Sequence, residues 1–390
     1  MRKILLLGIL CFYSVSVLGQ QQDSIPRNNF IDRVTGLFVS TMDKLTFEND
    51  RISFSVYPIM GLEPQTGLQL GLMPVVRFLP KDTTNIPEFY HPTTLMPSFM
   101  VSTKGKFSFE LEYLMYTRSR WVIMSNLKIN DLTNDFYGVS NNSADIDPFS
   151  YDFCDRLFNG EVLKGVSKNW FIGVRVEASD VKNRLHDDIY NGPIVFDISL
   201  LGYDGGFTLG CGPVIKYDSR DDIFFPTKGI LASSYYLDFP KCSFNDYHFQ
   251  RWMVDLRCYH SIFDERKVMA MQFVLDSNHG DVPFYLMSQL GGMNSLRGIV
   301  HPFRYIDDKI WFSRAEYRHM FKNRFGYALY MGVGNQFDNV HTKPFDDVKF
   351  VYGTGLRFLI LPEDRMNFRA DLGFGPHGQK SLYFTLLEAF

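Results

Sequence analysis

The chain has 390 residues, of which 45% are hydrophobic, 16% aromatic and 21% charged. Its formal net charge is −3, and −5 once Arg2 and Lys3 are removed with the leader described below, so it lacks the basic character of nucleic-acid-binding proteins. The cysteines beyond the leader contain no CxxC pair, which argues against metal or redox chemistry and leaves open the disulfide state of Cys154, Cys211, Cys242 and Cys258.

The N-terminus has the order of a cleavable secretory signal. Two basic residues precede an apolar run from Ile4 to about Val17, and Val17 and Gly19 occupy the small-residue positions of a cleavage site. We therefore assign residues 1–19 to a signal peptide and expect the mature chain to leave the cytoplasm. No later apolar run approaches the ~20 residues of a membrane helix, so any membrane span must consist of strands.

The segment from Arg27 to Leu45 has helical periodicity, because its apolar residues recur at spacings of mostly three and four. It predicts a short amphipathic helix within a periplasmic N-terminal segment, residues 20–50. Such a helix plugs the interior, lies on the inner leaflet, or belongs to a poorly ordered leader. We favour packing at the periplasmic mouth.

From residue 51 onward the period changes to two. Runs such as "ISFSVYPIM" and "RWVIMSNLKI" alternate apolar and polar residues over about 9 to 12 positions, enough for a tilted strand to cross a bilayer. About eleven such runs precede the stretch "LGGMNSLRGI" (290–299) and five follow it, roughly 16 in all. The connections alternate long and short, as in outer-membrane barrels, whereas a soluble β-sandwich gives no reason for this alternation.

These patterns predict an all-β fold: a closed antiparallel transmembrane β-barrel of about 16 strands over residues 51–390, in contact with outer-membrane lipid. The last run, "SLYFTLLEAF", alternates and ends on Phe390, as terminal strands of outer-membrane barrels commonly do. We interpret Phe390 as a terminal-strand signal. The alternative is an ordinary edge strand that ends in phenylalanine by chance.

Two motifs give a resemblance to a known family. "GGMNSLRGI", followed by "DKIWFSRAEYRHMF", resembles the loop and next strand of the barrel shared by BamA, TamA and the two-partner-secretion transporters, the bacterial surface antigen domain. Leu296, Arg297 and Gly298 match the family's Val/Leu/Ile-Arg-Gly-Phe/Tyr tetrad, and Ile299 departs from its aromatic residue. The stretch "YDSRDDIFFPTKGI" is similar to the family's Asp-x-Arg-Asp…Pro-x-x-Gly turn through Asp218, Arg220, Asp221, Pro226 and Gly229.

The resemblance implies that the loop folds into the barrel and that Arg297 docks on acidic residues of the inner wall. A withdrawn guanidinium needs a charge-assisted partner. Glycines permit the close backbone approach that docking requires, and the loop has Gly291, Gly292 and Gly298. The alternative is a solvated loop arginine.

The strand after the loop offers one acid for this arginine. Alternate side chains of a strand share a face, which puts Glu316 with the other charged residues on the inward face. We therefore expect the carboxylate of Glu316 to accept hydrogen bonds from Arg297. The resemblance also implies an aspartate two residues before Gly334, where this chain has Gly332. The lock is therefore expected to depend on Glu316, with help from Asp371 or Asp338.

The family's transport proteins carry periplasmic POTRA modules, whereas only about 30 residues separate Gly19 from the first strand here. We therefore expect a short member, in the outer membrane of a Gram-negative bacterium, that aids insertion or transport of protein or lipid with a periplasmic or outer-membrane partner. The alternative is a passive pore or structural barrel. An enzyme is disfavoured because GxSxG, HExxH and HxxxH constellations are absent from the sequence, and we expect no cofactor or metal.

Overall fold

The structure is a computed structural model that describes residues 46–63, 66–80, 91–139, 148–185, 200–321, 324–338, 342–361 and 365–390. The predicted signal peptide and the helix predicted over 27–45 lie outside the described residues. No helix within these ranges is long and apolar enough to cross a membrane.

The described residues form an all-β fold of nineteen strands with a few single-turn 3-10 helices. The first twelve strands are β1 (Thr46–Glu48), β2 (Ile52–Glu63), β3 (Gly67–Phe78), β4 (Thr93–Ser102), β5 (Phe107–Tyr116), β6 (Trp121–Phe136), β7 (Phe149–Gly165), β8 (Trp170–Leu185), β9 (Gly205–Asp218), β10 (Gly229–Phe239), β11 (Phe249–Ser261) and β12 (Lys267–Gly280). The others are β13 (Ser288–Gln289), β14 (Ile306–Asp307), β15 (Lys309–Met320), β16 (Phe325–Phe337), β17 (Lys349–Leu361), β18 (Met366–Phe374) and β19 (Lys380–Leu386).

Seventeen of these strands belong to one sheet. Each pairs antiparallel with the next along the chain, except that β12 pairs directly with β15 because β13 and β14 form a separate two-stranded sheet. Apart from the three-residue β1, the described part of the large sheet has eleven strands before the arginine loop and five after it, as the sequence predicts. The sheet order places β19 beside β2, and Cα atoms of these two strands approach within 8 Å.

Alternation gives every strand an inner and an outer face. On β16, Ala328 and Tyr330 are buried on the inner face, whereas Leu329 and Met331 are 51% and 56% exposed on the outer face. Other strands repeat this outer band of exposed apolar side chains, for example at Leu70, Leu72, Phe99, Val101, Ile172, Val174, Met271, Phe273, Phe350 and Tyr352. Such a continuous apolar band suits a lipid environment and would be costly in water.

The interior is filled from both ends of the sheet. The arginine loop, residues 281–308, packs Leu290, Leu296 and Ile299 onto the inner wall. From the opposite end, the turn between β9 and β10 inserts Phe225 against Val268 of β12 and Met320 of β15.

The end of the chain departs from the sequence prediction. Phe390 was expected to complete the terminal strand, but β19 ends at Leu386. Leu387 has a left-handed backbone, with φ of 65°, which turns the following residues out of the strand. Phe390 is consequently buried on the inner face, against Tyr259 of β11 and Ala270 of β12.

We predict that Leu329→Arg on the outer face of β16 lowers the free energy of unfolding by roughly 2–4 kcal/mol in phospholipid vesicles, because the charge must enter the hydrocarbon layer. The matched control is Phe244→Arg in the connection between β10 and β11, where the side chain is 54% exposed and a surface substitution changes stability by about 0.5 kcal/mol or less. Both are measured by denaturant unfolding in vesicles. Equal effects of the two substitutions would contradict a lipid-facing band.

Candidate functional site: the arginine loop and its acidic partners

The arginine loop is anchored by its own hydrogen bonds before it reaches the wall. Ser295 Oγ donates to the carbonyl oxygens of Leu290 at 2.9 Å and Gly291 at 2.5 Å, which folds the stretch into a tight turn. The backbone of Gly292 has a φ of +97°, a conformation that favours glycine. These local contacts present the next residues, Leu296 to Ile299, to the interior.

Arg297 is held by two carboxylates from two different strands. Its Nη2 donates to Glu316 Oε2 on β15, and its Nη1 donates to Asp371 Oδ2 on β18 at 2.6 Å. The guanidinium carbon lies 3.8 Å from the ring centre of Tyr330 on β16, a cation–π contact. Since Arg297 is only 2% exposed, these protein groups replace the water that would otherwise solvate its charge.

The charge of Arg297 is secured by this pairing. Arg297 lies in a loop between strands, and burial acts to lower its pKa. The adjacent carboxylates of Glu316 and Asp371 more than offset that effect, so the pKa lies above its ordinary value. The guanidinium therefore stays protonated wherever the loop is docked.

The second acid of the site comes from β18, and the space above Gly332 explains why. A side chain at Gly332 would meet Leu296 Cδ2 at 2.7 Å, so the position where the resemblance implies an aspartate is filled by the loop's own leucine. Asp371 lies on β18, two strands beyond Gly332 on β16, and approaches Arg297 from there. Asp338, the other acid considered, instead accepts hydrogen bonds from the backbone and hydroxyl of Thr342.

The two acids also bind arginines of the wall. Glu316 accepts from Arg318 at 2.8 Å and from Arg357 at 3.3 Å. Asp371 accepts from Arg357 at 2.6 Å and from Arg369 at 3.3 Å. We call these five residues, together with Arg297, the interior cluster, and its side chains are almost completely buried.

The loop backbone also touches the wall near Arg297. A side chain at Gly298 would meet the carbonyl oxygen of Phe374 at 2.3 Å, so only glycine allows the loop to approach the end of β18 this closely. The carbonyl oxygen of Arg297 accepts a hydrogen bond from Ser381 Oγ on β19. Ile299, which departs from the aromatic residue of the family tetrad, is fully buried beside Leu290 and Leu296.

The turn between β9 and β10, which carries the second family-like motif, is held by its own hydrogen bonds. Arg220 makes two hydrogen bonds to the carboxylate of Asp218, at 3.0 and 2.8 Å. Asp221 accepts from the backbone and hydroxyl of Thr227, and Gly229 has a φ of +107° where β10 begins. Pro226 is buried next to Phe225. This turn therefore positions Phe225 in the interior, where the centre of its ring lies 6.0 Å from the guanidinium carbon of Arg318.

Sequence reasoning did not single out Tyr330, Arg369 or Glu388 for the site. Alternation alone could have placed Tyr330 and Arg369 on inner faces, but only the fold shows which inward residues reach the loop. In the described part of the chain, no group of three or more His, Cys, Asp or Glu residues is arranged to hold a metal ion. Cys154, Cys211, Cys242 and Cys258 are free thiols.

Comparison with known proteins supports the motif resemblance. The sequence pattern of the Omp85 superfamily domain matches residues 94–381. The fold is similar to BamA from Haemophilus ducreyi lacking POTRA domains 1–3, at 14% identity and a TM-score of 0.54, covering 87% of this chain and 70% of that chain. It is also similar to CdiB from Acinetobacter baumannii, at 11% identity and a TM-score of 0.53, covering 87% of this chain and 60% of that chain. No curated protein sequence matches the chain significantly.

We predict that Arg297→Ala destabilises the folded protein by about 3–5 kcal/mol, because it breaks the buried ion pairs with Glu316 and Asp371 and the cation–π contact with Tyr330. The matched control is Arg156→Ala, which removes an ion pair to Asp180 from a side chain that is 68% exposed and costs about 1 kcal/mol or less. Denaturant unfolding in vesicles measures both. If Arg297→Ala costs no more than the control, the buried pairing does not stabilise the fold.

Proposed function

This chain belongs to the Omp85 superfamily, and we propose that it acts with a partner protein to insert or transport protein or lipid at the outer membrane of a Gram-negative bacterium. The family match and the folds shared with BamA and CdiB support an outer-membrane β-barrel of the assembly or translocation type.

We propose that the sheet closes between β19 and β2, and that this seam is the weakest strand pairing in the barrel. The adjacency of the two strands supports closure. β19 has only seven residues beside the twelve of β2, so at most a short ladder joins them. A short ladder exposes strand edges that a client strand can extend by β-augmentation.

One observation carries the proposed function: the buried salt-bridge contacts between the arginine loop and the wall. An open pore has no need of a loop arginine that is withdrawn from water and held by two strands, whereas a regulated barrel needs an interior that stays sealed. Because Glu316 and Asp371 lie on different strands, the docked loop ties β15 to β18. Loop docking thereby stabilises the half of the sheet that leads to the seam.

A passive pore is the second candidate, supported by cavities on the opposite side of the interior. One cavity of about 490 Å³ is lined by charged side chains including Glu112, Arg175 and Lys216. Another, of about 570 Å³, lies beside Tyr116, Arg120 and Asp218. A continuous water-filled path through these cavities would conduct ions steadily.

Single-channel conductance in planar lipid bilayers separates the two candidates. We expect wild-type protein to be quiet and Arg297→Ala to open, because the released loop no longer seals the interior. Arg156→Ala, a surface control, should behave as wild type. Steady and equal conductance of all three proteins would favour the passive pore and contradict a loop that gates the barrel.

Opening of the seam is tested by cross-linking in cells. The protein is first freed of its four native cysteines, and cysteine pairs are then placed to form disulfides between β2 and β19. The cross-linked protein should fail to restore growth or envelope composition to a strain in which the gene is deleted. The control pair, Met331→Cys with Tyr352→Cys, joins outward-facing partners on β16 and β17. Full activity of the seam-linked protein would overturn the seam proposal.

A further inference from the structure

The terminal segment, residues 387–390, occupies the interior beside the arginine loop. After the left-handed turn at Leu387, the backbone leaves the sheet, and Phe390 becomes 5% exposed. All four residues also form part of the wall of the 490 Å³ cavity. The segment therefore lies between the part of the interior that the arginine loop fills and the 490 Å³ cavity.

Three arginines of the wall bind this segment. Arg314 Nη2 donates to the carbonyl oxygen of Ala389 at 3.0 Å, and Arg318 Nη2 donates to the backbone oxygen of Phe390 at 2.8 Å. Arg357 Nε donates to both carboxylate oxygens of Glu388, at 3.2 and 3.1 Å. Each residue from Glu388 to Phe390 thus has a cationic partner on β15 or β17.

The phenyl ring of Phe390 adds a second type of contact to the same arginines. The guanidinium carbon of Arg314 lies 4.2 Å from the ring centre, and that of Arg318 lies 5.2 Å from it. Cation–π contacts of this kind gain strength when both groups are removed from water. The aromatic ring therefore covers two charges that would otherwise face the cavity.

Glu388 changes the charge balance of the interior. Five buried arginines come together here, Arg297 on the loop and Arg314, Arg318, Arg357 and Arg369 on the wall, whereas the interior cluster contains only the acids Glu316 and Asp371. Glu388 is a third acid, and it lies on the terminal segment rather than on the wall. Moving the segment out would leave the buried arginines with fewer anionic partners, which is unfavourable in a poorly hydrated interior.

Arg314 connects the terminal segment directly to the arginine loop. Its Nη1 donates to the carbonyl oxygen of Ser295, two residues before Arg297, at 2.8 Å, while its Nη2 holds Ala389. Its Nε donates to Gln272 Oε1 at 2.7 Å. One wall arginine therefore binds the arginine loop through one nitrogen and the terminal segment through another.

We propose that the terminal segment is a latch that couples docking of the arginine loop to the position of β19 at the seam. When β19 moves away, Glu388 and Phe390 are withdrawn from Arg357, Arg314 and Arg318, and the loop loses the wall geometry that holds it. When the loop undocks, the segment loses its link through Arg314. The inference depends on the proposed function, because it assigns a regulatory contact to the proposed gate.

The test measures release of the loop directly, through maleimide labelling of Ser295→Cys in a background without the four native cysteines. Ser295 is 8% exposed, so labelling reports undocking. We expect Glu388→Gln and Phe390→Ala each to accelerate labelling roughly tenfold, because each removes a buried partner of the wall arginines. Arg297→Ala serves as the fully undocked reference.

Matched variants separate a latch from simple packing. Phe390→Tyr keeps the ring and should label as slowly as the parent, whereas Phe390→Leu keeps an apolar side chain without the ring and should label fast. Leu382→Ala on β19 is the control, because this side chain faces outward and is 39% exposed. Retained heat-modifiable gel mobility shows that each variant is folded.

Fast labelling of Glu388→Gln, Phe390→Ala and Phe390→Leu, with slow labelling of Phe390→Tyr and Leu382→Ala, supports the latch. Slow labelling of the first three variants in folded protein overturns it. This outcome is distinct from failure of the proposed function, because labelling reports loop position whether or not the barrel conducts ions or processes a client. If labelling supports the latch but the protein shows no gated conductance, the coupling between the loop and β19 is retained and the assembly-type gate is rejected.

Discussion

The arrangement of the interior depends on one buried guanidinium, that of Arg297, which needs anionic partners. A charge removed from water is tolerated in a protein interior only when it is paired and its hydrogen-bonding groups are satisfied. Arg297 meets this condition through Glu316 and Asp371, which lie on strands separated by β16 and β17. The position of the loop, the filling of the interior and the alignment of these strands are consequently parts of the same interaction.

The same requirement explains residues that have no charge. Leu296 fills the space above Gly332, and Gly298 lets the loop backbone reach the end of β18. Tyr330 covers one face of the guanidinium with its ring. Each of these residues excludes water from the pair or brings the pair within bonding distance, so the apolar and polar parts of the loop act together. On the other side of the cluster, Phe390 has the corresponding position against Arg314 and Arg318.

Sequence reasoning could predict the strands because alternation is a local property of the chain. It assigns an inward face to Glu316 from its immediate neighbours, and strand number and family resemblance follow from the same local patterns. It could not select between Asp371 and Asp338, because Asp371 lies 74 residues from Arg297 and their proximity depends on the register of four strands. The inward turn at Leu387 was missed for a different reason: leucine rarely adopts a left-handed backbone, so its identity gives no sign of a turn.

The spacing of the partners along the chain has a consequence for biogenesis. Glu316 follows Arg297 by 19 residues and Asp371 by 74, so both anionic partners lie C-terminal to the loop. Contacts between residues distant in sequence are slow to form, because closing the intervening chain costs entropy. Until β18 is in register, Asp371 is not in place and Arg297 has Glu316 as its acidic partner. Full docking of the loop therefore requires the strands from β15 to β18 to be in register, and it reports that the C-terminal third of the barrel has been completed.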